Sequence, residues 1–415
     1  MAAQPFHNLG RKMTINQNNM YDFEKAVDRR HSGCVKWDAQ PPVEADMDNV
    51  IPMWVADMDF EAAPFIQEAI LKRVQHGIFG YTCVPESFYK ATTDWFRRRH
   101  GVTYERDWFI YTTGVVPAIS AAVKALAKPG EKVILQSPVY NCFFSSIRNN
   151  GCTILDNPLK EIDTKDGLTY EIDFEDFERK CSDPAAKVFL LCNPHNPAGR
   201  VWTREELCRI GEIARKHGVI VVSDEIHCEL VMPGYHYTPY AAASEDNLHN
   251  CVVFCSPSKS FNIAGLQIAN IITENAQWRE KIDKAVNINE ICDVNPIGVA
   301  ALHAAYSEKG DLWLDELNAH VHKNYLMLRE LFSKELPFAR VTKLEGTYLA
   351  WIDCRSLGIK SEEIENSLLQ NEKVWINAGT MYGTEGFIRI NLATTSALCK
   401  EGLGRIVAGL KRLKA

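Results

Sequence analysis

The sequence predicts an α/β protein in which a large domain with a mostly parallel sheet carries a smaller α+β domain. Three observations support this prediction. The chain has 415 residues, more than one hydrophobic core usually supports. From about residue 104, short and continuously apolar segments alternate with helical ones, as in a parallel sheet covered by helices on both faces. After roughly residue 300, a long helical segment precedes a strand-rich stretch and a final helix.

The predicted strands of the large domain are short apolar runs that end in glycine, proline or polar residues. The first strand precedes a helix with an early proline and a terminal glycine, in VVPAISAAVKALAKPG. Residues 141–149 are predicted as a helix, and a later helix opens at Thr203 with Glu206 at capping-box spacing. The strand segments are TYERDWFIYTTG, EKVILQSP, CTILDNPL, AKVFLLCNP, GVIVVSDE and CVVFCSP.

Three parts of the chain are expected. Residues 1–62 are loop-rich and should pack with the C-terminal part or reach across to a partner. Residues 63–300 form the large domain, and residues 301–415 form the small one. The small domain contains the long helix DLWLDELNAHVHKNYLMLRELF, the strand-rich ARVTKLEGTYLAWIDC, the strand GFIRINLA and a C-terminal helix.

Composition narrows the classes of function. A net charge of -7 leaves no basic field for nucleic acid or anionic lipid. No apolar run is long enough to span a membrane, and the start lacks the apolar region of a signal peptide. The 13 cysteines are scattered, with no CxxC pair, which suits a reducing cytoplasm. His227-Cys228 lacks further ligands at useful spacing, so no metal is expected.

Polar residues that directly follow predicted strands are the candidates for chemistry, because ligands bind at the carboxyl ends of strands in such sheets. Together they supply a lysine, an acid, an aromatic ring, an amide and several hydroxyls. This set suits a phosphorylated aromatic aldehyde, and no GxGxxG or GxxxxGK[ST] motif is present for a nucleotide. The positions are Thr113-Gly114, Ser137 to Tyr140, Asn193 to Pro197, Asp224 to His227 and Ser256 to Lys259.

Each of these residue types suits the chemistry of such an aldehyde for a physical reason. A desolvated lysine such as Lys259 loses its proton more easily and can attack an aldehyde. The resulting pyridoxal phosphate adduct is an electron sink only while its ring nitrogen is protonated, and a buried carboxylate such as Asp224 can hold that proton. Tyr140 can stack on the ring. Singly, however, Asp224 could be a helix cap and Tyr140 could be a core residue.

Other candidate residues would bind the two anionic groups, the cofactor phosphate and the substrate carboxylate. A helix that starts after Gly114, together with Ser256 and Ser258, can bind a phosphate through its N–H groups and hydroxyls. Arg389 lies within an apolar strand and is a natural bidentate partner for a substrate carboxylate. Arg389 could also belong to an internal salt bridge. The joint occurrence of all these residues, each in its place along the chain, favours the cofactor site.

The motifs TTGVVPA, NPHNPAGRVW, SDEIH and SPSKSFNIAG resemble those of the fold-type-I pyridoxal-phosphate enzymes, the aminotransferase fold. SDEIH and PSKSFNIAG narrow the resemblance to the MalY/PatB family of cystathionine β-lyases and C–S lyases, which includes cystalysin. The likeness extends from WVADMDF through GYT and EGTYLAWID to RINLA, nearly the whole chain.

The resemblance implies a role for each residue around the cofactor ring. Lys259 would be the Schiff-base lysine and would also move the Cα proton. Asp224 would pair with the pyridine nitrogen, and Asn196 would hydrogen-bond the ring hydroxyl. Tyr140 would stack on the ring. His227 stands where general aminotransferases usually have tyrosine.

The resemblance also implies the groups around the phosphate. Val115 and Val116 would offer backbone N–H groups, and Ser256 and Ser258 would offer hydroxyls. Tyr81 would reach the phosphate of the neighbouring subunit, which makes a homodimer the expected assembly.

The resemblance also implies which residues bind the substrate, and two positions differ from those of related enzymes. Arg389 would bind the substrate carboxylate, and Trp54 would line the mouth of the site. Many aminotransferases place an arginine eight residues after the lysine, where this chain has Gln267. The MalY/PatB branch also lacks that arginine, so Gln267 favours the branch over a general aminotransferase. Asn141 stands where cystalysin-like members have a second tyrosine, which leaves substrate preference open.

The expected function is β-elimination from L-cysteine derivatives to give pyruvate, ammonia and a thiol. Cystathionine, cystine and S-alkyl cysteines all fit this reaction. The alternative is an aminotransferase with the same cofactor and residues, since both reactions share a carbanion. A non-catalytic regulatory protein is the third possibility, and the full set of catalytic residue types argues against it.

Overall fold

A computed structural model describes residues 20–165, 167–288 and 293–415. Residues 1–19, the start of the predicted N-terminal part, lie outside this description. The helices are α1 Val35–Asp38, α2 Pro64–Gln75, α3 Glu86–His100, α4 Val115–Leu126, α5 Asn141–Asn149, α6 Phe174–Cys181, α7 Arg204–Lys216, α8 Tyr240–Ala243, α9 Glu245–His249, α10 Ala276–Asn287, α11 Pro296–Ala305, α12 Glu308–Glu335, α13 Ser361–Glu372 and α14 Ser396–Lys414. The strands are β1 Ile51–Pro52, β2 Phe109–Thr112, β3 Lys132–Leu135, β4 Thr153–Asp156, β5 Lys160–Thr164, β6 Gly167–Glu171, β7 Ala186–Cys192, β8 Ile220–Asp224, β9 Cys251–Cys255, β10 Ala269–Ile272, β11 Arg340–Val341, β12 Leu349–Asp353, β13 Val374–Trp375, β14 Asn377–Ala378 and β15 Phe387–Asn391.

The large sheet has seven strands in the order β2-β10-β9-β8-β7-β3-β4. All neighbours from β9 to β4 pair in parallel, and every strand segment predicted for the large domain lies in this sheet. The mostly parallel sheet is therefore confirmed. Strand β10 was not predicted, and it runs antiparallel to both β2 and β9. No α-helix lies between β9 and β10, and an α-helix is the usual crossover between parallel strands.

Both faces of the large sheet are buried, which explains why its strands are continuously apolar. Val222 and Val252 pack in the core beneath α4, whereas their chain neighbours Val221 and Val253 pack in the core on the opposite face. Burying a valine side chain in this way stabilises the fold by roughly 1.5–3 kcal/mol. Helix α7 covers the second face and begins with the predicted capping box at Thr203.

A second sheet lies in the C-terminal part. Its four antiparallel strands follow the order β11-β12-β15-β14, and helices α12 to α14 accompany them. Strand β1 pairs in parallel with β13, which attaches the segment before α2 to this part. The boundaries 1–62, 63–300 and 301–415 stay a prediction. None of the helices among the described residues combines the length and apolar character needed to cross a bilayer.

Candidate active site

A cavity of about 550 Å³ lies where the carboxyl ends of β7, β8 and β9 meet the N-terminus of α4. This is the place where parallel α/β sheets bind ligands. Strand β15 and the segment before α2 complete the wall. Among the predicted site residues, the cavity brings together Trp54, Val115, Val116, Tyr140, Asn196, Asp224, His227, Ser258, Lys259 and Arg389.

Lys259 follows β9 and reaches into the cavity. Its amine donates a hydrogen bond to the carbonyl of Ala56 at 2.7 Å. Burial lowers the pKa of this amine because the charged ammonium loses hydration, and nearby Arg389 adds to the effect. Asp57 and Asp224 oppose it. A lowered pKa increases the fraction of free amine, which is the form that acts as nucleophile or base.

Asp224 ends strand β8 and is only 4% exposed. Burial raises the pKa of its carboxyl to about 7, and the neighbouring Glu225 adds to the rise. A hydrogen bond from the Ile226 N–H at 3.1 Å and the charge of Lys259 act in the opposite direction. A carboxyl whose pKa lies near neutrality ionises readily when a cation lies beside it, because the cation lowers that pKa. Asp224 is thus suited to hold a protonated ring nitrogen.

His227 is buried near Asp224 and presents a neutral ring to the cavity. Burial, together with the nearby charges of Lys259 and Arg389, lowers its pKa to about 3. Among the described residues, its Nδ1 has no hydrogen-bond partner. Its ring packs edge-on against Tyr348, with 6.0 Å between ring centroids. A buried polar atom without a partner is costly, which marks this nitrogen as available to a ligand.

Arg389 lies in the middle of β15, is 3% exposed and points its guanidinium into the cavity. It donates to the Asn196 side-chain oxygen at 3.2 Å and to the Trp54 carbonyl at 2.8 Å. Within the described part of the chain, no carboxylate lies within salt-bridge distance of it, and its buried Nε has no partner. Among the described residues, Arg389 therefore takes part in no internal salt bridge. A buried arginine with free donor capacity is suited to a carboxylate ligand.

The N-terminus of α4 forms one end of the cavity. Gly114 precedes the helix and supplies no side-chain cap, so the first N–H groups, at Val115 and Val116, face the cavity without a helical partner. Ser258 also lines this end. Ser256 lies outside the lining, because its hydroxyl donates to the Ile268 carbonyl at 2.6 Å and accepts from the Ser258 N–H at 3.1 Å.

Three predicted aromatic residues occupy different places. Tyr140 precedes α5 and lines the cavity, and burial raises the pKa of its hydroxyl well above the ordinary value. Trp54 stacks on Trp375 with ring centroids 4.2 Å apart, and its indole N–H donates to the Lys36 carbonyl at 3.0 Å. Tyr81 is 96% exposed and does not line the cavity of its own chain.

Several residues of the cavity were not identified from the sequence. Ala56 contributes a backbone carbonyl, and no side-chain pattern reports such a contact. Tyr382 packs its ring under the Arg389 guanidinium at 4.7 Å and receives a hydrogen bond from Asn377 at 2.9 Å. The buried tyrosine in NAGTMYG could have suggested a role beside a cation.

A separate cluster of polar side chains surrounds Glu229. His100, Cys228 and Glu229 have possible ligand atoms within 4.8 Å of one another. The Glu229 carboxylate already accepts hydrogen bonds from Arg99 at 2.7 Å, His100 at 2.7 Å and Trp95 at 2.6 Å. These contacts identify the cluster as a buried salt bridge between α3 and the turn that follows β8.

The family model for aminotransferase class I and II matches residues 48–406. The chain belongs to this family. Cystathionine β-lyase PatB of Bacillus subtilis is 43% identical over 94% of this chain and 100% of its own length. Protein MalY of Escherichia coli is 30% identical over 95% of this chain and 100% of its own length. The predicted relationship to the MalY/PatB family is confirmed.

A solved structure agrees with this membership. The crystal structure of cystalysin from Treponema denticola, which contains a pyridoxal 5′-phosphate cofactor, matches with a TM-score of 0.89 and 36% identity, over 95% of this chain and 100% of cystalysin. The fold-type-I fold is therefore confirmed. The residues of this cavity fit the same cofactor. An amine, a buried acid and an uncapped helix N-terminus suit its aldehyde, ring nitrogen and phosphate.

Proposed function

We propose that the protein is a pyridoxal-phosphate-dependent C–S lyase that acts on L-cysteine derivatives. The products are pyruvate, ammonia and a thiol. One observation carries the proposal: the Lys259 amine, the buried Asp224 carboxyl and the Arg389 guanidinium, which pairs with no carboxylate of the described residues, meet in one cavity. The relative named cystathionine β-lyase supports the same reaction. When bound, pyridoxal phosphate supplies an electron sink for the charge that develops on the substrate Cα.

Lys259 and Asp224 would do the chemistry, with Tyr140 beside them. Lys259 would hold the cofactor covalently, and once the substrate amino group has taken its place, its free amine would remove the Cα proton. Its lowered pKa supports both tasks, because both need the unprotonated form. Asp224 would be ionised beside the ring nitrogen and would keep the proton there. Tyr140 stacks on the ring, and the second tyrosine of cystalysin-like members is Asn141 here.

Arg389 would orient the substrate. It binds the α-carboxylate of a small amino acid through two parallel hydrogen bonds, and Asn196 contacts the cofactor beside it. His227 offers its free Nδ1 on the same side. Trp54 lines the mouth through which the sulfur substituent leaves.

The phosphate would be held at the start of α4. Val115 and Val116 donate their N–H groups, and the helix dipole adds to the attraction. Ser258 donates its hydroxyl, and Ser256 acts behind it by holding the Ser258 N–H. Tyr81 reaches the phosphate of a second copy of the chain in a homodimer. Its 96% exposure in the single chain is consistent with this role.

A cytoplasmic location is also proposed. The cysteines among the described residues are free thiols, which suits a reducing compartment.

The test is a pyruvate assay without added keto acid. L-cystathionine and S-methyl-L-cysteine should each give pyruvate and a thiol in equal amounts. Turnover that needs a keto acid and releases no thiol would instead identify an aminotransferase. A protein that stays colourless with added pyridoxal phosphate would contradict the whole proposal.

A further inference from the structure

Residues 54–58, which we call the strap, lie between β1 and α2, and the first three of them form part of the cavity wall. The Asn391 side chain donates to the carbonyls of Val55 and Asp57, both at 2.6 Å. These two carbonyls flank Ala56. Asn391 therefore fixes the peptide units before and after the Ala56–Asp57 peptide and leaves the Ala56 carbonyl directed at Lys259.

Two donors share the Ala56 carbonyl. The Lys259 amine donates to it at 2.7 Å, and the Tyr348 hydroxyl donates to it at 2.9 Å. A carbonyl has two lone pairs, so it can accept both hydrogen bonds at once. Each donor withdraws electron density from the oxygen, so each weakens the attraction that the other feels.

The position of Tyr348 is imposed by strained backbone. Thr347, which precedes it, is fully buried and has φ of 69°. A β-branched residue is an outlier in this left-handed region. The conformation is held because the Thr347 N–H donates to the Leu230 carbonyl at 2.7 Å and its hydroxyl accepts from the Leu349 N–H at 3.1 Å. Backbone strain of this kind is concentrated at functional sites.

We propose that Tyr348 is a positioning residue for Lys259: its hydroxyl occupies part of the acceptor that would otherwise hold the lysine ammonium, and so favours the free amine. The inference rests on the proposed role of Lys259. Tyr348 acts through the Ala56 carbonyl and does not itself need to touch the substrate.

Other charged and titratable groups also face the Lys259 amine. They lie on the strap, on β8, on β15, on α5 and in the turn after β8, and they are Asp57, Asp224, Arg389, Cys142 and His227. Replacing Tyr348 with phenylalanine changes none of these groups and keeps the ring that packs on His227. The change therefore isolates the hydroxyl.

The experiment measures the amine directly in the cofactor-free full-length protein. Acetic anhydride labels Lys259 in competition with a free amino acid across a pH series, and mass spectrometry of the Lys259 peptide gives its titration curve. In Tyr348→Phe, the curve should move to higher pH, so labelling near neutral pH falls about 3- to 10-fold. The two proteins should converge at alkaline pH.

Tyr325→Phe is the matched control, because Tyr325 is also buried and its hydroxyl donates to the Thr342 carbonyl at 3.2 Å, away from the cavity. Its curve should equal that of the wild type. In the holoenzyme, the acid limb of the kcat profile should shift to higher pH for Tyr348→Phe alone.

A superimposable or lower titration curve for Tyr348→Phe would overturn the inference, and so would a drop in thermal stability without a shifted curve. These outcomes leave the proposed function intact. The proposed role of Lys259 fails separately if Lys259→Ala still captures pyridoxal phosphate in a form that borohydride fixes to the protein.

Discussion

The two halves of the cavity are held in place by different means. In the cofactor half, the side chains stand at the ends of sheet strands, where the register aligns Asp224 with Cys192 on one side and Phe254 on the other. In the substrate half, the strap is held by side-chain hydrogen bonds to its carbonyls, such as those of Arg389 and Asn391. Regular secondary structure therefore fixes the first half, and a few long-range polar contacts fix the second.

The largest effect is expected in the cofactor half. Lys259→Ala removes both the covalent attachment and the base, so kcat for pyruvate release should fall by at least about 10³-fold. Borohydride should no longer fix the cofactor to the protein. Lys90→Ala, at an exposed lysine of α3, is the control and should behave like the wild type. Retained fixation in Lys259→Ala would place the cofactor lysine elsewhere.

In the substrate half, Arg389→Ala should be the most damaging change. Loss of a buried, bidentate donor should lower kcat/KM about 10²- to 10³-fold, mainly through KM. Arg389→Lys keeps the charge but not the planar pair of donors, so it should lose less. Steady-state kinetics with S-methyl-L-cysteine measures both variants. An unchanged KM in Arg389→Ala would show that the carboxylate binds elsewhere.

Two groups at or just after the carboxyl end of β8 can be separated by the pH dependence of unfolding of the cofactor-free protein. The Asp224 pKa of about 7 in the fold, against 3.8 ordinarily, means that its contribution to stability is full below about pH 3.8 and is lost as pH rises to about 7. In Asp224→Asn, the free energy of unfolding relative to wild type should therefore rise by about 1.4 kcal/mol per pH unit across that window.

In the same experiment, the His227 variant should show the opposite change of unfolding free energy with pH. Its pKa is about 3 in the fold, against 6.5 ordinarily, so its contribution is present above about pH 6.5 and is lost as pH falls to about 3. Relative to wild type, His227→Asn should therefore become less stable as pH rises through this window. Urea unfolding at several pH values measures both slopes, and equal slopes in the two variants would contradict the assigned pKa shifts.

The smallest effect is expected at the mouth of the substrate half. Trp54→Phe keeps an aromatic ring against Trp375 but loses the hydrogen bond to the Lys36 carbonyl. The loss of one hydrogen bond should raise KM about 2- to 10-fold and change kcat little. Trp375→Phe, which keeps the Trp54 hydrogen bond, is the paired variant. Identical kinetics in Trp54→Phe and wild type would remove Trp54 from the substrate path.

The cofactor half could be predicted from the sequence for a physical reason. Its residues follow apolar strands directly, as Asp224 follows IVVS and Lys259 follows CVVFC by a few positions. Because parallel strands end at one edge of a sheet, reading the residues after each strand also brings them together in space. The helix after Gly114 and the capping box at Thr203 depend on equally local rules.

The substrate half could be predicted only in part. Arg389 was identified because a charge inside an apolar strand needs a partner, but the contact of Ala56 with Lys259 is made by a backbone carbonyl. The role of Tyr348 depends on the strained conformation of Thr347, which no propensity rule favours. Strand β10 was missed because its direction depends on the short connection that follows Lys259.

The long span of the strap contacts has a consequence for synthesis. Trp54 and Arg389 are separated by 335 positions, and β1 pairs with β13 near the other end of the chain. During synthesis, Trp54 can form its hydrogen bond with Arg389 only after almost the entire polypeptide has left the ribosome. The cofactor half can fold earlier, once β9 and β10 have emerged. The nascent chain should therefore acquire a place for the cofactor before it acquires a place for the substrate.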